Sequence, residues 1–299
     1  MCAVSCVYLS CPSFNASPPL SLPASMCDYG PLGPPCYASW LVLVYVKQTN
    51  KLRVVTYATM RRRVPLPAVF IDVHRAFDSV WHEALLVKAG QAVITGNLWR
   101  WLQAFLSDRS FFIDAKGIAS DPHPVRAGVP QGCVLSALLF ILFLNDLTVP
   151  ADCTLLKYAD DMAVYPVPPP NDHKTLVKWD VACGQSLARA LASITEFARR
   201  WKIVFGADKT NLVVFNRTTI DPALPPLRLT GFDVAHSFSY KYLGLILQQD
   251  MRWSEQAAAV AKKISALAFL LGRLCRFDRP PSANCIRRLA LATLYSVAG

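Results

Sequence analysis

Two short apolar segments that carry aspartates constrain the fold of this chain most strongly. Residues 68–73 (AVFIDV) are apolar and rich in β-branched side chains, and Asp72 stands near their end. Residues 154–165 are mostly apolar on either side of Ala-Asp-Asp, which contains Asp160 and Asp161. Apolar runs of this length bounded by polar residues are typical of buried strands. We therefore predict a strand with Asp72 at its carboxyl end, and a tight hairpin with Asp160 and Asp161 at its tip.

The rest of the chain from about residue 66 mixes helical and strand-like patterns. Apolar residues at helical spacing predict helices over 98–106, 187–201 and 254–271. The nearly continuous apolar run 134–147 is too long for a strand and predicts a core helix. Strand patterns follow at 211–215 and 240–247. Because these elements are mixed without strict alternation, they indicate an α+β fold.

Composition permits an enzyme and favours a polyanionic partner. The chain is 53% apolar and only 17% charged, which excludes a disordered chain. Its 31 Lys and Arg exceed its 20 Asp and Glu and give a net charge of +11. Basic residues gather between 47 and 63 and again between 262 and 288. Either cluster alone is explained equally well by a solvated surface, so charge does not name a ligand.

Sequence patterns also bear on the cellular compartment. The ten cysteines have irregular spacing without a CxxC pair, so we expect mostly free thiols. The first 46 residues contain no Lys or Arg and lack the basic start of a signal peptide. The longest apolar runs are shorter than the roughly 20 residues that span a bilayer. These observations predict an intracellular protein, neither secreted nor bound to a membrane.

The aspartates suit a nucleotidyl-transfer site. Phosphoryl transfer requires chiefly positioning and neutralisation of charge, which two divalent cations held by carboxylates on rigid elements can supply. Such a site needs one acid at a strand end and another, often doubled, on an adjacent hairpin. Asp72 and the pair Asp160 and Asp161 meet this description. Taken singly, each acid is explained at least as well by a helix cap or a solvated turn.

Flanking sequence separates these explanations. FIDVHRAFDSV (70–80), GVPQGCVLSALLF (128–140), YADD (158–161), FSYKYLGLIL (238–247) and MRWS (251–254) occur in this order. The series closely resembles the ordered motifs of reverse transcriptases. Its AFDSV and KYLG segments resemble those of non-LTR (LINE-like) retrotransposons. The resemblance implies an RNA-directed DNA polymerase that joins deoxynucleotides to a primer 3′-OH by a two-metal mechanism. The alternative is a catalytically inactive, truncated remnant that keeps the palm fold and non-specific nucleic-acid binding.

For the fold, the resemblance implies a polymerase right-hand palm with a partial thumb and with the fingers largely missing. We assign residues 66–250 to the palm and 251–299 to a helical partial thumb. Residues 1–65 match no motif, and their first 36 are rich in Pro, Cys and Ser without periodicity. We therefore expect 1–65 to be a poorly ordered leader, with few long-range contacts and no fingers-like sheet in 1–60. These features favour the interpretation that the chain is a fragment of a retrotransposon's polyprotein.

The resemblance also assigns the metal and nucleotide sites. Asp72, Asp160 and Asp161 are expected to bind two Mg²⁺ ions, with Mn²⁺ as an alternative, and the backbone carbonyl of Val73 to complete one shell. Phe77 matches the aromatic residue that closes the sugar pocket, although a core aromatic is the simpler explanation. Gln131 and Gly132 match residues beside the incoming nucleotide and template, although a plain turn explains them equally. Cys133 and Ala137 depart from the usual Ser and Pro.

Two further assignments concern the leaving group and the primer. Lys209 matches a lysine that could protonate pyrophosphate as a general acid. Gly206 stands where Asn is usual, which weakens that match. The hairpin with Tyr242, Leu243 and Gly244 resembles the primer grip. The basic helices that follow are expected to hold the duplex through phosphates, without reading sequence.

The implied partners are an RNA template, a DNA primer, deoxynucleoside triphosphates and the other domains of the element's polyprotein. The implied location is the nucleus or a cytoplasmic ribonucleoprotein. Upstream of Asp72 no text resembles the fingers motifs that clamp the triphosphate. Because loss of such electrostatic stabilisation commonly costs a hundredfold or more in rate, we expect nucleic-acid binding with little primer extension from this chain alone.

Overall fold

A computed structural model describes residues 6–10, 51–53, 55–56, 59, 64–168, 179–216, 224–274 and 282–298. The strands in these ranges are β1 (Cys6–Ser10), β2 (Leu66–Asp72), β3 (Ser110–Ala115), β4 (Ile118–Ala119), β5 (His123–Pro124), β6 (Cys153–Tyr158), β7 (Asp161–Pro166), β8 (Asn211–Phe215), β9 (Arg228–Leu229), β10 (Phe232–Asp233), β11 (Ala235–His236), β12 (Ser239–Tyr242) and β13 (Leu245–Gln248). The helices are α1 (His82–Gln91), α2 (Gly96–Leu106), α3 (Val134–Phe143), α4 (Trp179–Trp201), α5 (Ser254–Leu274) and α6 (Ala283–Ala298). This mixture of helices and strands confirms the α+β class, whereas the assignment of residues to palm, thumb and fingers remains a prediction.

A five-stranded sheet forms the centre, in the order β11-β8-β2-β7-β6. β2 lies in its middle and pairs antiparallel with both β7 and β8, and β6 and β7 form the predicted hairpin. The register places Asp72 directly opposite Asp161. The predicted strand at the first motif and the predicted hairpin at YADD are therefore confirmed, and they are neighbours.

β2 is buried on both faces because its alternate side chains enter different cores. Val69 and Ile71 pack into a large core with the helices α1 to α4. Phe70 and its alternating neighbours pack into a second core, which the β12–β13 hairpin covers. At roughly 25 cal/mol per Å² of apolar area, such two-sided burial makes β2 a major stabilising element.

Most predicted elements are present with shifted ends. α2, α5 and β8 cover the predicted ranges, and α4 begins eight residues before its predicted start. α3 ends at Phe143 instead of 147, because beyond it Lys157 Nζ donates hydrogen bonds to the carbonyls of Leu144, Asn145 and Leu147. The segment 240–247 is a hairpin with its two-residue turn at Leu243 and Gly244.

The expectation of few long-range contacts for residues 1–60 is wrong in the described part of that segment. β1 pairs with β3 from Cys6 opposite Asp114 to Ser10 opposite Ser110. Residues 51–53, 55–56 and 59 are helical, and Leu52 and Thr56 are each 1% exposed. Leu52 packs into the second core, which Phe70 also enters. The buried residues Leu52, Thr56 and Thr59 recur at helical spacing, although the sequence around them resembles no motif.

Residues 1–5, 11–50, 54, 57–58 and 60–63 lie outside the described part of the chain, so the rest of the leader prediction is not tested. The boundaries at 65/66 and 250/251 also remain predictions. Within the described ranges, no helix has both the length and the apolar character needed to cross a bilayer.

Candidate active site

The three predicted carboxylates lie together at one end of the central sheet. Asp72 is the last residue of β2 and Asp161 the first of β7, and the two are directly opposite. Directly opposite residues share a face of a sheet, here the face that carries the second core. Asp160 occupies the two-residue turn between β6 and β7, after Ala159, whose φ is +51°. The predicted placement of the three residues at one end of the sheet is thus confirmed, whereas carboxylates close enough to share two cations remain a prediction.

Burial and the neighbouring acids both favour the protonated form of Asp161. Burial, and then the charges of Asp160 and Asp72, raise the pKa of Asp161 to about 6. Burial and the charges of Asp161 and Asp72 likewise raise the pKa of Tyr240 to about 12. The negative charge of ionised Asp161 therefore lacks compensation from water and from nearby bases. A divalent cation would supply that compensation.

Donor chemistry at this end of the sheet suits a hard cation, since carboxylate oxygens are the ligands that Mg²⁺ prefers. In the part of the chain that the structure describes, however, no three His, Cys, Asp or Glu side chains are already arranged as a metal site. Asp72 Oδ2 instead lies 3.6 Å from Lys209 Nζ. The acids therefore fit a metal by chemistry and charge, and coordination would require their side chains to rotate.

A turn after α4 brings Lys209 to this place. Val73 forms a bridge with Phe205, and the Gly206 amide donates to the Asp72 carbonyl at 3.0 Å. A Cβ at Gly206 would lie 3.1 Å from Asp72 Oδ2, so the glycine leaves room for that carboxylate. The Lys209 side chain is 66% exposed and is free to move. Lys209 thus lies beside the acids, as its predicted role requires.

Phe77 lies in the turn that follows β2. Its half-buried ring packs against the large core, with its centroid 5.2 Å from that of Phe140. This contact fits the core-aromatic explanation and leaves the sugar-pocket assignment a prediction. Val73 is 4% exposed at the start of the same turn.

Gln131 and Gly132 lie on an exposed loop that is attached to the Phe77 turn. The Val129 amide donates to the Phe77 carbonyl at 2.7 Å, and Gln131 Nε2 donates to Asp78 Oδ1 at 2.9 Å. The two predicted nucleotide-binding segments are therefore neighbours, although 53 residues separate Gln131 from Asp78.

Sequence reasoning missed two residues that hold this loop. His82 Nε2 lies 2.7 Å from the Gly128 carbonyl, and Arg109, which is 5% exposed, donates to the same oxygen at 3.3 Å. A carbonyl only accepts, so His82 Nε2 carries the proton in this contact. No local pattern marks either residue, because each contact joins separate elements.

The hairpin predicted to grip the primer lies over the same face of the sheet as Asp72 and Asp161. Tyr242 is 1% exposed and Leu243 7% exposed, so both anchor the hairpin. Leu243 and Gly244 have φ of +48° and +78°, the combination that a tight two-residue hairpin turn requires. The Tyr240 ring stacks on Phe70 with centroids 4.5 Å apart. Tyr240 stands at the start of the segment predicted to form the primer grip, and this stacking joins the hairpin to the acidic end of β2.

The family model described as reverse transcriptase (RNA-dependent DNA polymerase) matches residues 46–247, which is more than half of the chain. The match begins before the predicted boundary at residue 66.

Three curated relatives come from Drosophila melanogaster. The RNA-directed DNA polymerase from mobile element jockey is 30% identical over 81% of this chain and 27% of its own length. The probable polymerase from transposon BS is 31% identical over 69% of this chain and 23% of its length. That from transposon X-element is 30% identical over 67% and 21%. The chain thus spans about a quarter of the length of these relatives.

A solved structure of telomerase from Candida tropicalis in complex with a telomeric RNA fragment is also similar. It is 15% identical, with a TM-score of 0.43, over 84% of this chain and 40% of that one. The family match, the ordered motifs and the relatives agree. The chain therefore belongs to the reverse transcriptase family, among the members carried by non-LTR retrotransposons.

Proposed function

We propose that this chain forms the polymerase core of an RNA-directed DNA polymerase, which adds deoxynucleotides to a primer 3′-OH on an RNA template. The observation that carries this proposal is the register of β2 and β7, which sets Asp72 opposite Asp161 with Asp160 in the adjoining turn. Membership of the reverse transcriptase family supports it.

Each acid has a stated task in this proposal. Asp72, Asp160 and Asp161 would hold two Mg²⁺ ions, or Mn²⁺, together with the Val73 carbonyl. When bound, such ions neutralise charge on the triphosphate and on the attacking oxygen. Lys209, exposed and 3.6 Å from Asp72, would then be released from that pairing to donate a proton to the departing pyrophosphate.

Primer placement falls to the hairpin. Tyr242 and Leu243 anchor it on the sheet, and Gly244 permits its turn. We propose that this hairpin holds the primer end beside the acids, since correct positioning can supply several kcal/mol of the barrier. RNA template, DNA primer and deoxynucleoside triphosphates are the substrates in this proposal. The other domains of a longer polyprotein are proposed partners, and the nucleus or a cytoplasmic ribonucleoprotein is the proposed location.

Primer extension tests the proposal directly. Purified protein is given an RNA template, a labelled DNA primer, deoxynucleotides and Mg²⁺. Because the fingers motifs are missing, slow extension is expected, above the background of a reaction without protein. Asp160→Asn should abolish extension because it removes a metal-binding charge, without changing the melting temperature. Asp233→Asn, the same change at an exposed acid of β10, should leave extension intact. Extension that survives Asp160→Asn would refute the assignment, and binding without extension is the result expected of an inactive remnant.

Sugar selection is tested separately at Phe77. A ring beneath C2′ leaves no volume for a hydroxyl, so Phe77→Val should raise the efficiency of ribonucleotide incorporation relative to deoxynucleotide. Phe232→Val is the control, since Phe232 is also half-buried against the large core. Equal discrimination by wild type and Phe77→Val would leave Phe77 as a core aromatic only.

A further inference from the structure

The Gln131 loop and the Phe77 turn are joined more closely than packing alone requires. The Gly128 amide donates to the Val80 carbonyl at 2.8 Å, and the Val129 amide donates to the Phe77 carbonyl at 2.7 Å. Gly128 has φ of +91°, and a Cβ there would lie 2.8 Å from Asp78 Cα. The two backbone segments are therefore in direct contact and form one unit.

A side-chain contact continues this junction at the surface. Gln131 Nε2 donates to Asp78 Oδ1 at 2.9 Å, and both side chains are exposed. They also line an open cleft of about 660 Å³, together with the buried Arg109 and the exposed Arg126. An exposed hydrogen bond adds little to stability because water competes for both groups. This hydrogen bond instead determines the direction in which the Gln131 amide points.

The chemistry of the two groups settles that direction. An ionised carboxylate only accepts hydrogen bonds, so the amide must turn its NH₂ group towards Asp78. Since the amide is planar, Oε1 then lies on the side away from Asp78. Without Asp78 the amide could rotate by half a turn and present NH₂ instead.

We propose that Asp78 is a positioning residue for Gln131: its carboxylate fixes the rotation of the amide so that Oε1 faces the substrate. Gln131 then presents an acceptor, which suits a hydroxyl or amino group of the nucleotide or template and disfavours an ionised phosphate oxygen. The inference rests on the proposed function, because Gln131 is assigned to substrate only through it.

The contact itself is tested without catalysis. The side-chain amide resonances of Gln131 are identified in ¹⁵N-labelled full-length protein by their loss in Gln131→Ala. Asp78→Ala should move them towards the position of a free glutamine, and Asp233→Asn should leave them unchanged. Resonances that are the same in wild type and Asp78→Ala would overturn the inference whether or not the protein is active.

Steady-state kinetics then test positioning. With saturating primer and template, Asp78→Ala should raise the KM for deoxynucleotide by roughly threefold to tenfold, the range expected when binding must order a side chain that Asp78 no longer holds. Asp78→Asn should raise it less, because Asn can still accept from Gln131. The kcat should change by less than KM in both variants, and Asp233→Asn should change neither.

A paired exchange distinguishes positioning from a structural role. Gln131→Glu places two carboxylates face to face and should raise KM more than Asp78→Ala does. Adding Asp78→Asn restores a donor opposite the introduced carboxylate, and KM should fall back towards the wild-type value. Failure of this rescue, or an unchanged KM in Asp78→Ala alongside a raised KM in Gln131→Ala, would overturn the inference. Absence of extension by wild-type protein would count against the proposed function alone, since the resonance measurement still decides the contact.

Discussion

Cys153 shows how burial changes a titratable side chain away from the acidic cluster. Its thiol lies at the first position of β6 and is 7% exposed. Burial, and then the neighbouring charge of Asp152, raise the pKa of Cys153 to about 12 from an ordinary 9.0. The folded protein therefore keeps this thiol protonated at pH values where the unfolded chain has lost the proton.

A pH dependence of stability follows. The protonated thiol favours folding fully below pH 9, and this contribution is lost as pH rises, because only the unfolded chain ionises between 9 and 12. Between pH 8 and 10 the loss is roughly 1 kcal/mol. Urea unfolding should therefore show a smaller fall in stability over this interval for Cys153→Ala than for wild type. Groups common to both proteins cancel in the comparison, and equal falls would contradict the pKa assignment.

Two glycines on the Gln131 loop share a backbone conformation but differ in the space around them, so a side chain should destabilise the protein by different amounts at the two positions. Gly128 and Gly132 both have positive φ, +91° and +83°, but only Gly128 faces backbone atoms of Asp78. At Gly132 a Cβ would meet nothing within 4 Å.

Replacing each glycine with alanine distinguishes the strain of a left-handed backbone from the overlap of a new Cβ with neighbouring atoms. Gly132→Ala should cost about 1 kcal/mol of unfolding free energy for the left-handed backbone alone. Gly128→Ala adds an overlap with backbone that cannot rotate away, and should cost about 2–4 kcal/mol. Denaturant unfolding of both variants measures the difference. Equal costs would show that the loop moves away from the Phe77 turn without penalty.

Lys88 joins α1 to the end of α3 inside the large core. Its side chain is 3% exposed, donates to the Phe143 carbonyl at 2.7 Å and pairs with Asp146. The ammonium also lies 4.1 Å from the centroid of the Trp201 ring. Burial lowers the pKa of Lys88, and Asp146 opposes that change. The lysine therefore satisfies the carbonyl at the end of α3 from a neighbouring helix.

Lys88→Met should destabilise the protein by about 2–3 kcal/mol, because a buried carbonyl loses its donor and a partly exposed acid loses its partner. Lys202→Met provides the matched control. Lys202 Nζ also lies over an aromatic ring, 3.9 Å from the Trp81 centroid, but the residue is exposed. Its replacement should cost less than about 1 kcal/mol. Similar melting temperatures for the two variants would show that burial adds nothing to the Lys88 contacts.

At the scale of the whole molecule, the sequence predicts what depends on local pattern. Asp72 was predictable as a strand end, and Asp161 as part of a hairpin tip, because short apolar runs fix where strands begin and stop. The contact of Asp78 with Gln131 was not predictable, because no period encodes a pair 53 residues apart. Lys88 resembles a residue on a helix surface until α3 is packed against it. The burial of Leu52 was missed for the same reason, since the core that it enters is built from other elements.

Net charge leads to a prediction about binding. The chain carries +11, and exposed bases lie along both last helices, including Lys262 and Lys263 on α5 and Arg287 and Arg288 on α6. If four bases contact phosphates, affinity for a primer–template duplex should fall about a hundredfold between 50 and 200 mM salt. Replacing Lys262 and Lys263 with Ala should flatten a plot of log affinity against log salt. Arg228→Ala, which removes a base paired with Asp233, should not. An affinity that does not change with salt concentration would exclude contacts between these bases and phosphates.

The central position of β2 has a consequence for synthesis on the ribosome. Leu66 pairs with Phe215, so the partner emerges 149 residues later (215 − 66). At about 5–20 residues per second, the interval is roughly 7–30 s. During this interval β2 lacks its neighbouring strand β8 and part of both cores, so its apolar side chains are exposed. Exposed apolar strands of this kind promote aggregation. Production of this protein should therefore depend on chaperones that shelter the nascent chain, and a higher level of such chaperones should raise the soluble yield.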